Sequence, residues 1–281
     1  MNNKNFIHEI IQPTENLDIT FKLYNDDGSF VPSHWHNSIE IIYVTSGKLK
    51  IYEGNRTYDL STNDCIVINS GVIHSTHCVS GNTSMLLQIP FSFLSKYIPD
   101  FKNSYFDFSV NSNKANYEEN LNHIRKLLKD MEFLRTNHID AGNLRFTSIL
   151  FELLFQLYNN FRIPVGDKYI NRNTLSLSTF KPVLEYAKLN YNRPISIQEI
   201  SEVAHLQPEY FCRKFKQCMG QTFLEYLNEI RIAHIYKDLV STNYALCNIL
   251  ETHGFTNSKL FYKIFKQKFN CTPKELRKIK R

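Results

Sequence analysis

The sequence lacks the long apolar runs that mark exported and membrane-spanning proteins. Residues 1–10 contain no continuous apolar segment of the kind that a signal peptide requires. The most apolar later stretch, residues 148–158, is interrupted by Glu152 and Gln156 and is too short to cross a bilayer. We therefore expect neither export nor a membrane span, and a cytoplasmic location.

Cysteines are few and do not form sequence pairs. The six of them are Cys65, Cys78, Cys212, Cys218, Cys247 and Cys271. None lies in a C-x-x-C motif, and no export signal accompanies them. We interpret them as reduced thiols rather than as a disulfide framework or a zinc cluster.

Motifs of several common enzyme classes are missing as well. The sequence has no G-x-S-x-G, no phosphate loop and no dinucleotide fingerprint, so we do not expect an enzyme. Its 281 residues suit two domains of ordinary size. A hydrophobic content of 42% with 21% charged residues allows packed cores and excludes wholesale disorder.

The excess of positive over negative charge is confined to the last third of the chain. From residue 178 onward, 17 Lys and Arg outnumber 9 Asp and Glu, whereas the remainder has 16 and 18. The overall charge of +6 therefore divides into +8 and −2. This asymmetry indicates a basic module that binds a polyanion beside a second module with another role. A solvated basic face is the alternative.

The N-terminal part has the pattern of a β-protein. Residues 21–91 alternate short β-rich runs with turn signals such as Ser46-Gly47 and Gly54-Asn55. Short strands at this spacing predict an antiparallel sandwich or barrel.

Two helices are predicted after this region. The first carries one apolar stripe, made of Tyr117, Leu121, Ile124, Leu128 and Met131. The second, residues 144–161, has a wider apolar surface that includes Phe151 and Phe155. Because this stripe is wide for a helix packed on one side, we expect the pair to cover the barrel and to join a second copy of the chain. A purely intramolecular hairpin is the alternative.

Residues 163–179 are rich in Pro, Gly, Asn and Ser and predict a linker. The linker divides the chain into residues 1–162 and residues 180–281. The second part contains three capping boxes, which predict several short helices. The boxes are Ser196 with Glu199, Thr222 with Glu225, and Thr272 with Glu275.

An internal repeat occurs within the second part. FCRKFKQCMG at Phe211 and FYKIFKQKFN at Phe261 align at an offset of 50 residues. Each follows a short amphipathic segment and a turn, which is the pattern of a helix-turn-helix. Residues 222–240 form a helical connector between the two units. We therefore predict an all-α domain with two helix-turn-helix units whose basic helices enter successive major grooves of DNA.

Residues 180–281 resemble the DNA-binding domain of the AraC/XylS family of bacterial transcription regulators. The motif G-F-x5-F-x3-F-K followed by F-x-C-T-P-x-E-x-R carries this resemblance. It is formed by Gly254, Phe255, Phe261, Phe265, Lys266, Phe269, Cys271, Thr272, Pro273, Glu275 and Arg277.

The resemblance implies two recognition helices, at residues 208–218 and 257–269. In the first it implies that Glu209, Cys212 and Arg213 face bases and that Lys216 faces phosphate. In the second it implies that Ser258, Lys259, Tyr262 and Lys263 face bases, with Lys266 at phosphate. Ser201 and Leu250 stand where the family usually has Ala, and Gln207 stands in place of a Ser cap. We expect Leu250 to alter the packing of the second unit.

The N-terminal part resembles the cupin family. The first cupin motif, G-x5-H-W-H-x3-E-x6-G, is formed by Gly28, His34, Trp35, His36, Glu40 and Gly47. Gly71 and His74 match the second motif in part, while Asn63 and Asn69 depart from it. We therefore predict an α+β chain with a cupin-like antiparallel β-barrel and helical hairpin before the helical domain.

His34, His36, Glu40 and His74 are the candidate effector site. Alternation along a strand directs the first three into the barrel. Three interpretations stay open: a pocket for a small polar effector such as a sugar, a divalent metal site, and a structural hydrogen-bond network. Trp35 is expected to pack on the opposite face.

These observations together predict a homodimeric, cytoplasmic DNA-binding regulator controlled by an effector in the barrel. Family habit favours activation, with RNA polymerase as a partner. A metal-dependent cupin enzyme with an accessory nucleic-acid-binding domain is the alternative.

Overall fold

The computed structural model describes residues 18–54, 56–78, 80–98, 101–109, 116–137, 139–164, 180–269 and 271–279. The predicted linker therefore lies almost wholly outside the described residues. Residues 163 and 164, at its start, belong to a short strand, Arg162–Pro164, of the N-terminal domain. None of the helices in the described part of the chain is long and apolar enough to cross a membrane.

A curled antiparallel sheet forms the N-terminal domain. Its strands are β1 (Thr20–Asp26), β2 (Ser29–His34), β3 (Ser38–Glu53), β4 (Arg56–Ser61), β5 (Cys65–Ile68), β6 (His74–Cys78) and β7 (Asn82–Pro90). They are ordered β1-β7-β3-β6-β2, and β4 and β5 also pair with β3. The predicted antiparallel barrel-like fold is confirmed.

Strand β3 is a single strand where the sequence predicted two. The Ser46-Gly47 turn signal lies at a bulge between Val44 and Ser46, so the strand bends and continues. A Cβ atom at Gly47 would lie 2.3 Å from the carbonyl oxygen of Gly81. Glycine is therefore needed here for close backbone approach.

Alternation along β3 separates two cores. Ile39, Ile41 and Tyr43 pack toward the helices, whereas Ile42 and Val44 belong to an apolar cluster on the other face of the sheet. The helices are α1 (Phe91–Tyr97), α2 (Tyr117–Thr136) and α3 (Gly142–Asn160). Short strands β8 (Ser104–Phe106) and β9 (Arg162–Pro164) pair beside them.

The predicted stripe on α2 faces the core. Leu121, Ile124, Leu128 and Met131 are all buried against the sheet and α3. Exposed apolar side chains remain on α3, where Leu144 and Phe155 are 74% and 59% exposed, and away from the stripe of α2 at Phe133.

The C-terminal domain is all helical in its described residues, as the sequence predicted. Its helices are α4 (residues 180–190), α5 (Ile197–Val203), α6 (Pro208–Met219), α7 (Phe223–Ser241), α8 (Leu246–Thr252), α9 (Ser258–Phe269) and α10 (Pro273–Ile279). Two cores flank α7, one around Phe211 and Phe215 and one around Phe261 and Phe265.

Two of the three predicted capping boxes are complete. Thr222 with Glu225 and Thr272 with Glu275 exchange both backbone-directed hydrogen bonds. At the third, Ser196 caps the amide of Glu199, but the Glu199 carboxylate accepts from Arg193 and Tyr186 instead. Those hydrogen bonds lower the pKa of Glu199 to about 2.

Glycine is required at position 254 by close backbone packing, whereas at position 220 there is room for a side chain. Both have positive φ, +66° and +71°, which costs an L residue about 1–2 kcal/mol. A Cβ at Gly254 would lie 2.4 Å from the carbonyl oxygen of Asn192, whereas nothing lies within 4 Å of one at Gly220. We expect Gly254→Ala to lower the urea midpoint of the helical domain clearly more than Gly220→Ala. Equal losses would show that the Asn192 backbone moves away without cost.

Candidate nucleic-acid interface and sensor cluster

Helix α6 separates an aromatic buried face from a polar exposed face. It begins with Pro208 at a helix N-terminal position, where a missing N–H costs little, and Gly220 ends it in the left-handed conformation. Phe211 and Phe215 are fully buried. The predicted DNA-facing residues Glu209, Cys212, Arg213 and Lys216 are all exposed.

Helix α9 repeats this arrangement. Phe261 and Phe265 are buried with ring centroids 5.3 Å apart, against 5.5 Å for Phe211 and Phe215. Its predicted DNA-facing residues Ser258, Lys259, Tyr262, Lys263 and Lys266 are all exposed. The two helices therefore present equivalent polar, largely basic faces.

The turns before the two helices close in the same way. Leu206 N donates to Ser201 O at 3.0 Å, and Phe255 N donates to Leu250 O at 2.8 Å. Leu250 is buried in the second core, which accommodates the larger side chain. The left-handed position of the turn is held by His205 in the first unit and by Gly254 in the second. Gln207 makes no side-chain cap, as its type suggests.

Helix α7 connects the two units rigidly. Its 19 residues span about 28 Å at 1.5 Å per residue. Buried Arg231 fixes α7 to the loop after α4, because its guanidinium donates to Tyr191 O and Arg193 O, each at 2.8 Å. The connector has the length and stiffness to hold two helices near successive major grooves, which recur about every 34 Å.

The four predicted sensor residues come together inside the curled sheet. The His34, His36 and His74 rings offer ligand atoms within 4.8 Å of one another. His36 Nε2 lies 2.8 Å from Glu40 Oε2, and His74 Nε2 lies 3.7 Å from Glu40 Oε1. Glu40 is only 2% exposed. The predicted residues therefore converge, but not by the alternation of one strand: His34 ends β2, His36 lies in the loop that follows, and Glu40 lies in β3.

Backbone carbonyls fix the orientation of all three imidazoles. Nδ1 of His34, His36 and His74 lies 2.9, 3.1 and 3.0 Å from a carbonyl oxygen of Pro32, Ser38 and Val72 respectively. A carbonyl oxygen only accepts, so each Nδ1 carries a proton, and the Nε2 of His36 carries a second one where it donates to the Glu40 carboxylate. The Nε2 atoms of His36 and His74 face Glu40, and that of His74 is buried without a hydrogen-bond partner.

Burial and mutual charge shift the pKa values in the cluster. Burial, together with His74, holds the pKa of His34 well below its ordinary value. Burial disfavours the charged form of Glu40, but hydrogen bonding with His36 and the nearby His74 holds its pKa well below the usual range. Burial also opposes protonation of His74, yet Glu40 raises its pKa. The cluster is built around a buried anion that attracts positive charge.

Gln88 is a member of the cluster that the sequence reasoning missed. Its side-chain amide donates to Glu40 Oε2 at 2.7 Å, and its own Oε1 is buried without a partner. The signal was a single amide within the apolar run of β7. Trp35 packs against the core of the helical domain that surrounds Phe211 and Phe215.

Comparisons with known proteins agree with this architecture. Residues 16–154 match the AraC-like ligand binding domain family, and residues 200–279 match a helix-turn-helix domain family. A ligand-binding domain followed by paired helix-turn-helix units defines a DNA-binding transcription regulator. The chain belongs to the AraC-type transcriptional regulators.

The relatives are similar in sequence at a low level. An uncharacterized HTH-type transcriptional regulator of Staphylococcus aureus (strain COL) is 23% identical to this chain over 86% of its length. The matched region is only 31% of the length of that protein. The uncharacterized HTH-type transcriptional regulator YdeC of Bacillus subtilis (strain 168) is 22% identical over 89% of this chain and 87% of its own. The match to the structure of ToxT from Vibrio cholerae covers 92% of this chain and 97% of the ToxT chain, with 15% sequence identity and a TM-score of 0.49.

Proposed function

We propose that this AraC-type regulator binds a specific operator through α6 and α9 and that the cluster of His34, His36, His74 and Glu40 controls this binding. The observation that carries the proposal is the pair of equivalent exposed basic faces on one rigid connector. Contact with RNA polymerase, activation of transcription and a cytoplasmic location belong to the same proposal. The matched families and relatives offer no support for the alternative of a metal-dependent enzyme.

The side chains of the two faces divide into those that contact bases and those that contact phosphates. Arg213 ends in a planar fork that suits the O6 and N7 atoms of guanine, whereas Lys263 offers one charge on a flexible stem. Arg213 also lies over the Tyr210 ring, 5.4 Å from its centroid, which helps to hold the guanidinium at the protein surface. Lys216 and Lys266 serve as phosphate contacts, which supply affinity without sequence choice.

The cluster fits a divalent transition metal ion. Metal-bound histidines usually donate their second ring nitrogen to a carbonyl or carboxylate, and all three imidazoles here already do so. Three Nε2 atoms and the Glu40 carboxylate would hold the ion, which would compensate the buried negative charge. A small polar effector such as a sugar is the second candidate occupant, since the same groups hydrogen-bond hydroxyls.

The exposed face of α3 fits a second copy of the chain. Leu144, Phe151 and Phe155 follow one another at spacings of seven and four, the repeat of a helix-pairing seam. Phe151 packs edge-on against Tyr97 of α1, with ring centroids 4.9 Å apart, so the apolar surface widens beyond α3. We propose that two copies pair through this surface about a two-fold axis.

Variants of three basic residues test the DNA-binding proposal. Arg213→Ala should reduce binding to a duplex selected by the full chain from a random pool about 5- to 150-fold more than binding to a scrambled duplex, because one base contact is worth about 1–3 kcal/mol. Lys216→Ala should weaken both and flatten the salt dependence. Lys263→Ala should lie between them. Equal losses on both duplexes for Arg213→Ala would remove its base-reading role.

Cobalt titration of the full chain tests the metal proposal. We expect one Co²⁺ per chain with visible absorption bands, and loss of affinity well beyond tenfold in His74→Ala. Gln88→Ala should cost about 10- to 100-fold, because Gln88 orients Glu40. His123→Ala, at an exposed histidine of α2, is the control and should bind normally. Absence of Co²⁺ and Zn²⁺ binding in the wild type would favour a polar effector.

Charge introduced on α3 tests the dimer proposal. Phe151→Glu combined with Phe155→Glu should give folded monomers, because two carboxylates would have to be desolvated at the seam. Phe133→Glu, at an exposed phenylalanine of α2, is the matched control. Sedimentation velocity with circular dichroism measures both assembly and folding. A dimer that persists in the double variant would place the interface elsewhere.

A further inference from the structure

The two domains meet along β2, which lies against α7. Tyr236 of α7 donates its hydroxyl to Gly28 O at 2.9 Å, just before the strand begins. Phe30 is 4% exposed and belongs to the core of the second helix-turn-helix unit. It meets the Phe269 ring of α9 edge-on at 6.5 Å between centroids. The N-terminal domain, here called the sensor, thus contacts both the connector helix α7 and the recognition helix α9.

Glu229 of α7 is the polar junction of this interface. Its carboxylate accepts from Lys268 of α9 at 2.6 Å, from Gln221 at 3.0 Å and from the Ser33 amide of β2 at 3.4 Å. Lys268 also lies 3.9 Å from the centroid of the Phe30 ring. Burial opposes ionisation of Glu229, but Lys268 and these hydrogen bonds lower its pKa. The junction is therefore an ion pair shared by α7, α9 and the sensor.

A bulge in β2 links this junction to the sensor cluster. The pairing of β2 with β6 shifts between Val31 and His34, which leaves Pro32 and Ser33 outside the regular ladder. The freed carbonyl of Pro32 accepts from His34 Nδ1, and the freed amide of Ser33 donates to Glu229. The Pro32-Ser33 dipeptide is therefore hydrogen-bonded to His34 of the sensor cluster through its Pro32 carbonyl and to Glu229 of α7 through its Ser33 amide.

The interface leaves the DNA-facing surfaces uncovered. Arg213 of α6 and Lys263 of α9 stay exposed while the N-terminal domain is docked, and Phe30 contacts α9 near its C-terminal end, at Lys268 and Phe269. A regulatory effect of docking would therefore act on the orientation of α9 relative to α7 rather than by covering the recognition faces.

We propose that Pro32, Ser33 and Glu229 form a relay through which the state of the sensor cluster sets the position of recognition helix α9. The inference rests on the proposed regulator function and deepens it by naming the route of regulation. A cation held by His34 would polarise the ring, strengthen the Nδ1–H bond to Pro32 O and so stabilise the bulge in the conformation that meets Glu229. By thermodynamic reciprocity, the junction stabilises the cluster in return.

Hydrogen exchange of the full chain without added metal tests the relay in both directions. Glu229→Gln should speed exchange in peptides covering residues 29–36 about fivefold or more, and His34→Ala should do the same for peptides covering residues 264–269. His36→Ala is the matched control within the cluster, because the Nδ1 of His36 bonds the Ser38 carbonyl and not the bulge. This variant should leave hydrogen exchange in α9 unchanged. Lys274→Met, at an exposed lysine of α10, should leave both regions unchanged.

The results of these experiments distinguish failure of the relay from failure of the proposed metal site. Changes confined to the domain that carries each substitution would overturn the relay, whatever the ligand. Equal effects of His34→Ala and His36→Ala on α9 would overturn the route through the bulge. In a second arm with ZnCl₂, Glu229→Gln should weaken Zn²⁺ binding about fivefold or more. If Zn²⁺ binds neither chain, the metal proposal fails while the exchange arm still decides the relay.

Discussion

A carboxylate buried in the longest strand constrains the whole sensor domain. A charge in this position is costly unless hydrogen bonds and positive charge compensate it, and Glu40 obtains them from Gln88 and His36. Glu40 and Gln88 are direct partners in the β3–β7 register. A one-residue slip of β3 would move Glu40 to the helix-covered face and turn Ile39 and Ile41 away from it. The polar cluster and the apolar core therefore specify the same register.

Local patterns were sufficient to predict most elements and most of the cluster. Periods of two and 3.6 identify strands and helices because burial selects side chains by direction. The H-x-H-x3-E spacing identifies the right residues for another reason, because the short loop between β2, which ends at His34, and β3, which carries Glu40, brings them together. The error at Ser46-Gly47 has a different origin. Gly47 is required by its close approach to Gly81, which is 34 residues away and which no local pattern reveals.

What the sequence did not predict depends on which neighbour covers a given face. An apolar stripe shows that a helix packs on something, but the stripe of α2 proved internal while α3 kept Phe151 and Phe155 at its surface. In the same way, Glu229 is an ordinary helix charge until β2 and α9 place Ser33 and Lys268 against it. Such sites arise from contacts across about 40 to 200 residues of sequence.

Small movements at the domain interface are large enough to matter for DNA recognition. Helix α7 is about 28 Å long, so a tilt of about 10° displaces one end by about 5 Å relative to the other. That exceeds the rise of one base pair, about 3.4 Å. A recognition helix displaced so far loses its base contacts, each worth about 1–3 kcal/mol. Typical coupling free energies between sites are also about 1–3 kcal/mol. Because the recognition faces are uncovered when the N-terminal domain is docked, the relay that we propose acts through the angle between α6 and α9.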